Sequence, residues 1–137
     1  MSYKIHFISI LYITLIECSH HILTKNPRVL QELEIISYQD QFAKEPFSDW
    51  FSRLDWKLQN IVISRLNRIK TGNFGNCESV GDKVFELKIH VGAGYRIYFA
   101  KELGCLILLL CAGDKSSQKT DIKKAKTYLQ KYHEQKN

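Results

Sequence analysis

Several things are missing from this chain of 137 residues, and each absence excludes something. Its four cysteines, Cys18, Cys77, Cys105 and Cys111, form no CxxC pair, and no histidine stands at ligand spacing, which argues against a metal site. Cys105 and Cys111 fall in an apolar strand run, where a reduced thiol acts as a small hydrophobe, so cysteine usage fits a reducing cytoplasm. No apolar run is long enough to span a bilayer as a helix. Ile5 to Ile16 has twelve residues and is interrupted by His6, Ser9 and Thr14. As a secretory leader it has only Lys4 as a basic start, and Glu17-Cys18-Ser19-His20-His21 offers no small-x-small cleavage site. Internal repeats, low-complexity tracts and linkers are absent too. With 45% hydrophobic residues, the chain can build one core and one ordinary domain.

Methionine is missing after Met1, yet Val29 or Leu30 can be encoded by an alternative bacterial start codon. Residues 1–30 are therefore expected to be an extension translated from a start assigned too early, poorly packed or absent in the functional protein, with the domain proper at 31–137. The intact mass of protein expressed from the native gene with its own upstream region tests this. A mass matching all 137 residues contradicts it.

Excess positive charge is missing from most of the chain. Val29 to Asp114 carries ten basic and eleven acidic residues, whereas Lys115 to Asn137 has seven Lys against Asp121 and Glu134. A basic end of this kind attracts polyanions such as RNA or DNA, although a solvated helix face has the same composition.

What is present reads as α+β. Leu33 to Tyr38 is short and β-branched, a first strand. Proline at 46 suits a first helical turn, and Phe47, Trp50, Phe51 and Leu54 follow at i, i+3, i+4 and i+7. A second helix runs from Trp56 to Lys70 with Leu58, Ile61, Val62, Leu66 and Ile69 as its apolar stripe, and Thr71 to Asn76 stops it. These two helices are expected to cover a small antiparallel sheet. A short strand at Cys77 to Val80 leads into a hairpin, and Cys105 to Cys111 is an uninterrupted apolar run, hence an interior strand. Ser116 or Ser117 can cap a final helix to about His133, with Ile122, Ala125, Leu129 and Tyr132 facing inward.

The hairpin organises the rest. Phe85, Leu87, Ile89 and Val91 alternate with Glu86, Lys88 and His90, the period of a strand with one buried face. A three-residue turn at Gly92-Ala93-Gly94 would pair Val91 with Tyr95, and so His90 with Arg96 and Lys88 with Tyr98. Glu86, Lys88, His90, Arg96 and Tyr98 then share the face opposite the apolar one, and that face is expected to be an open groove.

The succession WFSRLD, RLNRIKTGNFGN, ESVGDKVFELKIHVGAGYRIYF and LLLCAGDKSSQKTDIKKAK resembles the HigB-like addiction module killer group of the RelE/ParE toxin superfamily, over about Ile35 to Leu129. It departs from the group at Lys88, where Arg is usual, at Ala93, where Pro is usual, and at Cys111-Ala112, which replaces glycine-rich sequence. The resemblance implies a cytoplasmic toxin without a cofactor, neutralised by an antitoxin encoded beside it, commonly a helix-turn-helix protein. RelE-like members cleave mRNA in the ribosomal A site, whereas ParE-like members poison DNA gyrase. A degenerate module that binds only antitoxin is a third reading.

Cleaving RNA through its own 2′-hydroxyl requires a base, cations to stabilise charge on the phosphate, and a donor for the leaving oxygen. Arg96 offers a rigid, permanently charged fork, in the Gly-Tyr-Arg motif that RelE-like enzymes use for this purpose. Lys115 is a phosphate clamp at a strand end, and Lys88 a third cation that lacks the arginine fork. Glu86 or His90 is the candidate base, Tyr98 orients substrate, and Lys119 and Lys123 contact it as diffuse charge. Asp114 reads as an acceptor for turn amides. The bland alternatives are cross-strand ion pairing for Glu86 with Lys88 or Arg96, and an ordinary surface position for His90.

Overall fold

The structure, a computed structural model, describes residues 31–137, so the expectation for residues 1–30 lies outside the described residues. Strand β1 (Glu34–Ser37) is followed by α1 (Pro46–Ser52), which starts on its proline and buries Phe47. Helix α2 (Trp56–Lys70) starts where the Asp55 carboxylate accepts the Leu58 N–H at 2.8 Å. It stops at Thr71-Gly72, with Gly72 at φ +83°, a conformation that glycine adopts at no steric cost. Strands β2 (Cys77–Gly81), β3 (Val84–Ile89), β4 (Tyr95–Glu102) and β5 (Leu106–Asp114) follow. A single 3₁₀ turn (Lys115–Ser117) then leads into α3 (Gln118–Lys136).

The five strands lie in the order β1-β5-β4-β3-β2. β5 is interior, and Leu106 to Cys111 are buried on both faces as the apolar run required. The sheet is mixed and not wholly antiparallel, because β1 runs parallel to β5, with Glu34 beside Leu106 and Ser37 beside Leu109. Two helices and three strands separate β1 from β5, so no tight turn dictates its direction.

The hairpin register also differs from expectation. Ile89 pairs with Tyr95, Lys88 with Arg96 and Glu86 with Tyr98, which leaves His90 to Gly94 as a five-residue loop. Gly92 and Gly94 both have positive φ, at +56° and +76°, so the loop closes two residues earlier on β3 and uses both glycines. Each residue faces a partner two places from the expected one, and a shift of two preserves the faces.

One face of the sheet meets the helical hairpin. Phe47 of α1, Val62 and Ile69 of α2, and Leu87, Ile89, Ile97, Phe99, Ile107 and Leu109 of the sheet form one apolar core. The opposite face packs against α3 across β5, β4 and β3, through Ala125, Leu129 and Tyr132. Of the described cysteines, Cys77 and Cys111 are free thiols. Among the described residues no helix is long and apolar enough to cross a membrane.

Candidate functional site

Directly paired strand residues project to one face, so the ladders group the candidate side chains into rows. Glu86, Tyr98 and Cys111 form one row, and Lys88, Arg96 and Gly113 form the next. These rows lie on the face covered by α3, and the expected open groove is not there. Glu86 is 2% exposed, Arg96 7% and Tyr98 0%. The alternation identified the face correctly but said nothing of what covers it.

The roof is the first turn and a half of α3. Gln118 Nε2 donates to Glu86 Oε2 at 2.8 Å, and Asp121, itself buried, accepts from the Ser117 hydroxyl. Asp121 leaves no room for a side chain at position 113. A Cβ on Gly113 would lie 2.1 Å from Asp121 Oδ2 and 2.7 Å from Ser117 Oγ. The Cys111 thiol donates to the Asp121 carbonyl at 3.6 Å, and burial, then the Asp121 carboxylate, pushes it up to about 12.

Beneath this roof, Arg96 Nε stands 3.5 Å from Glu86 Oε1. That separation makes an ion pair but leaves no formed hydrogen bond, and Arg96 Nε and Nη1 are buried without a hydrogen-bond partner, as is the Tyr98 hydroxyl. Unpartnered buried donors are costly to a fold. The Tyr98 phenol is driven far above its ordinary range, by burial first and then by the Glu86 carboxylate.

The remaining candidates stand outside the roof. Lys88 bonds Glu78 Oε2 at 2.7 Å and draws that carboxyl below its usual range, so part of the Lys88 charge is already balanced. His90 lies in the loop beyond β3 and is exposed, so it does not join the strand face as expected. Lys115 is exposed, and its backbone N–H donates to Gly94 O at 2.8 Å, tying the end of β5 to the hairpin loop. The Asp114 carboxylate accepts the Ser116 N–H at 2.8 Å and the Ser117 N–H at 3.3 Å, together with the Ser116 hydroxyl. These bonds hold it below the usual carboxylate range. Asp114, and neither serine, thus caps the turn into α3. Lys119 and Lys123 are exposed on α3 and take no part in the buried cluster.

The arrangement brings together Glu86, Lys88, Arg96 and Tyr98, with Lys115 at the loop end of the same sheet. It separates off His90, Lys119 and Lys123. Sequence reasoning missed Gln118, Asp121 and Gly113. A signal was available: the inward stripe of α3 extends back from Ala125 to Asp121 and Gln118, turning polar where the sheet beneath it is polar.

A family described as Phage derived protein Gp49-like (DUF891) matches residues 49–133, from α1 through α3 and including every row of the site. The chain belongs to this family. Gp49-like proteins are an addiction-module killer, toxin-like family, and membership points to an antitoxin as partner. A protein of Haemophilus influenzae (strain ATCC 51907 / DSM 11121 / KW20 / Rd), described only as uncharacterized, is 45% identical over 85 residues. That stretch is 61% of this chain and 86% of the other.

Proposed function

We propose that the protein is the toxin of a type II toxin–antitoxin module and acts as a ribosome-dependent mRNA interferase of the RelE/ParE superfamily, HigB-like in kind. The observation that carries the reading is the row of Lys88 and Arg96 at the hairpin end of the sheet, with Lys115 tied to the hairpin loop. Membership of the Gp49-like family supports the toxin role. In this reading the reacting phosphate of an mRNA enters at the hairpin edge, and the exposed Lys115, the half-buried Lys88 and the largely buried Arg96 fork stabilise the charge that builds as the 2′-hydroxyl attacks. His90, exposed beside that edge, receives the hydroxyl proton as the 2′-oxygen bonds to phosphorus, the bond from phosphorus to the 5′-oxygen breaks, and the departing oxygen takes a proton from water. Glu86 is sealed from solvent and serves as the counter-charge of Arg96 instead of a base, and Tyr98 is sealed with it. Lys119 and Lys123 add long-range attraction for the RNA backbone. The reaction runs in the cytoplasm, requires no cofactor, and is silenced by an antitoxin encoded next to the toxin, of the helix-turn-helix kind.

One observation favours a second reading. Burial of Glu86 and Tyr98 leaves Glu78, already paired with Lys88, as the exposed carboxylate of these rows, which suits a protein that works by binding alone, as a ParE-like gyrase poison or an antitoxin-binding module does. Induction of the protein, with and without its antitoxin, separates the readings. Cut message with intact DNA supports the nuclease, DNA breaks with intact message support the gyrase poison, and undisturbed growth supports the binding module.

A further inference from the structure

Gln118 is the one side chain of α3 that bonds a charged group of the central rows directly. Its amide donates to one Glu86 oxygen at 2.8 Å, and the other oxygen faces Arg96 Nε at 3.5 Å. The three residues come from α3, β3 and β4, so this chain of contacts rests on three different elements. A neutral amide suits the position. A carboxylate there would repel Glu86, and an ammonium would compete with Arg96 for it.

Glu86 accepts from Gln118 through one oxygen, so its carboxylate plane is fixed and the second oxygen is aimed at the guanidinium. Arg96 has two buried N–H groups lacking hydrogen-bond partners, and the Glu86 carboxylate is its ion-pair partner. Gln118 in turn is anchored at the base of α3, where Asp114 caps the preceding turn and Asp121 abuts Gly113.

We propose that Gln118 is a positioning residue that acts through Glu86 to fix the orientation of the Arg96 guanidinium toward the phosphate it engages. The inference rests on the reading of Arg96 as a phosphate-binding group. Misplacing a reacting geometry by about 1 Å costs on the order of 10²-fold in rate.

The test uses Gln118→Met, which keeps the length of the side chain and removes the amide. Toxin freed from its antitoxin is assayed on ribosomes carrying a defined mRNA, and the same protein labelled with ¹⁵N reports solvent exchange at Arg96 Nε–H. The expected result is a kcat lowered by about 10- to 100-fold with KM nearly unchanged, and faster Nε–H exchange, at an unchanged thermal midpoint. Wild-type kcat, or a loss confined to KM, overturns the inference. If the wild-type protein cuts no RNA, the nuclease reading fails separately and the exchange rate decides: unchanged exchange in Gln118→Met overturns the positioning role, and accelerated exchange upholds it. Gln118→Ala, read by the same two measurements, replaces the Met variant if that one does not fold.

Discussion

At the scale of single residues, the buried pair of Glu86 and Arg96 governs what mutagenesis will report. An arginine facing an open groove could be truncated with the fold intact, and the alternation of β3 and β4 led to that expectation. Under α3 the same truncation strands a carboxylate that is 2% exposed. Arg96→Ala is therefore expected to lose about 3–5 kcal/mol of stability, measured by urea denaturation, while the paired change Glu86→Gln with Arg96→Met recovers most of it. A single variant as stable as the wild type would mean that the pair is not buried in solution. Activity loss in Arg96→Ala is consequently not proof of catalysis. Arg96→Lys, which keeps the charge and loses the fork, is the better probe.

Asp114 gives a pH-dependent counterpart. Its carboxyl is held below the ordinary range by the Ser116 hydroxyl and the turn amides, so it stabilises the fold whenever it is ionised. The unfolded chain binds the proton more readily than the folded one. The contribution is therefore complete above the unfolded-state value and disappears as pH falls through the lower folded-state value. The stability difference between wild type and Asp114→Ala should be constant near neutrality and shrink in acid. A difference that stays level through the acid range would contradict the capping role.

At the scale of elements, helices and faces were legible in the sequence because each has a local cause, whereas the cap before α3 was not, since Asp114 fills the role expected of Ser116 or Ser117. Proline at 46 opens a helix, Gly72 follows the close of the next, and period-two alternation divides β3 into two faces. The hairpin register was not legible, since Val91-Gly92-Ala93-Gly94 admits loops of more than one length and both choices preserve the faces. Nor was the direction of β1, which is set by packing beside β5 and by nothing adjacent in sequence. The cover over the polar rows was missed because α3 was read from its apolar residues alone. Its first inward positions, Gln118 and Asp121, are polar because they meet polar groups.

This seating can be tested with two substitutions on α3 and its platform. A methyl group at Gly113 collides with Asp121 and Ser117, so Gly113→Ala must shift the start of α3 and should cost about 1–3 kcal/mol. Leu129→Ala, which opens a gap under the far half of the same helix, should cost about 2–5 kcal/mol. If the first turn of α3 organises the site, Gly113→Ala impairs activity more than Leu129→Ala does, although it is the less destabilising change. The reverse order, at temperatures where both variants are folded, would detach the site from that turn.

At the scale of the whole molecule, three layers divide the labour. The helical hairpin and the apolar face of the sheet make the core, the second face carries the buried charges, and α3 closes it while presenting Lys119, Lys123 and Lys131 to solvent. The lysine-rich end seen in the composition is thus the outer surface of the element that roofs the site, which sets the attraction for a polyanion beside the chemistry proposed for it. The most direct measurement of that chemistry is a map of RNA 5′ ends in cells induced for the wild-type protein or for Lys115→Ala, whose exposed side chain can be truncated without disturbing the core. New 5′ ends within translated messages are predicted for the wild type, abolished by co-expressed antitoxin and strongly reduced in the variant. Growth arrest by the wild-type protein with no new 5′ ends would contradict the account.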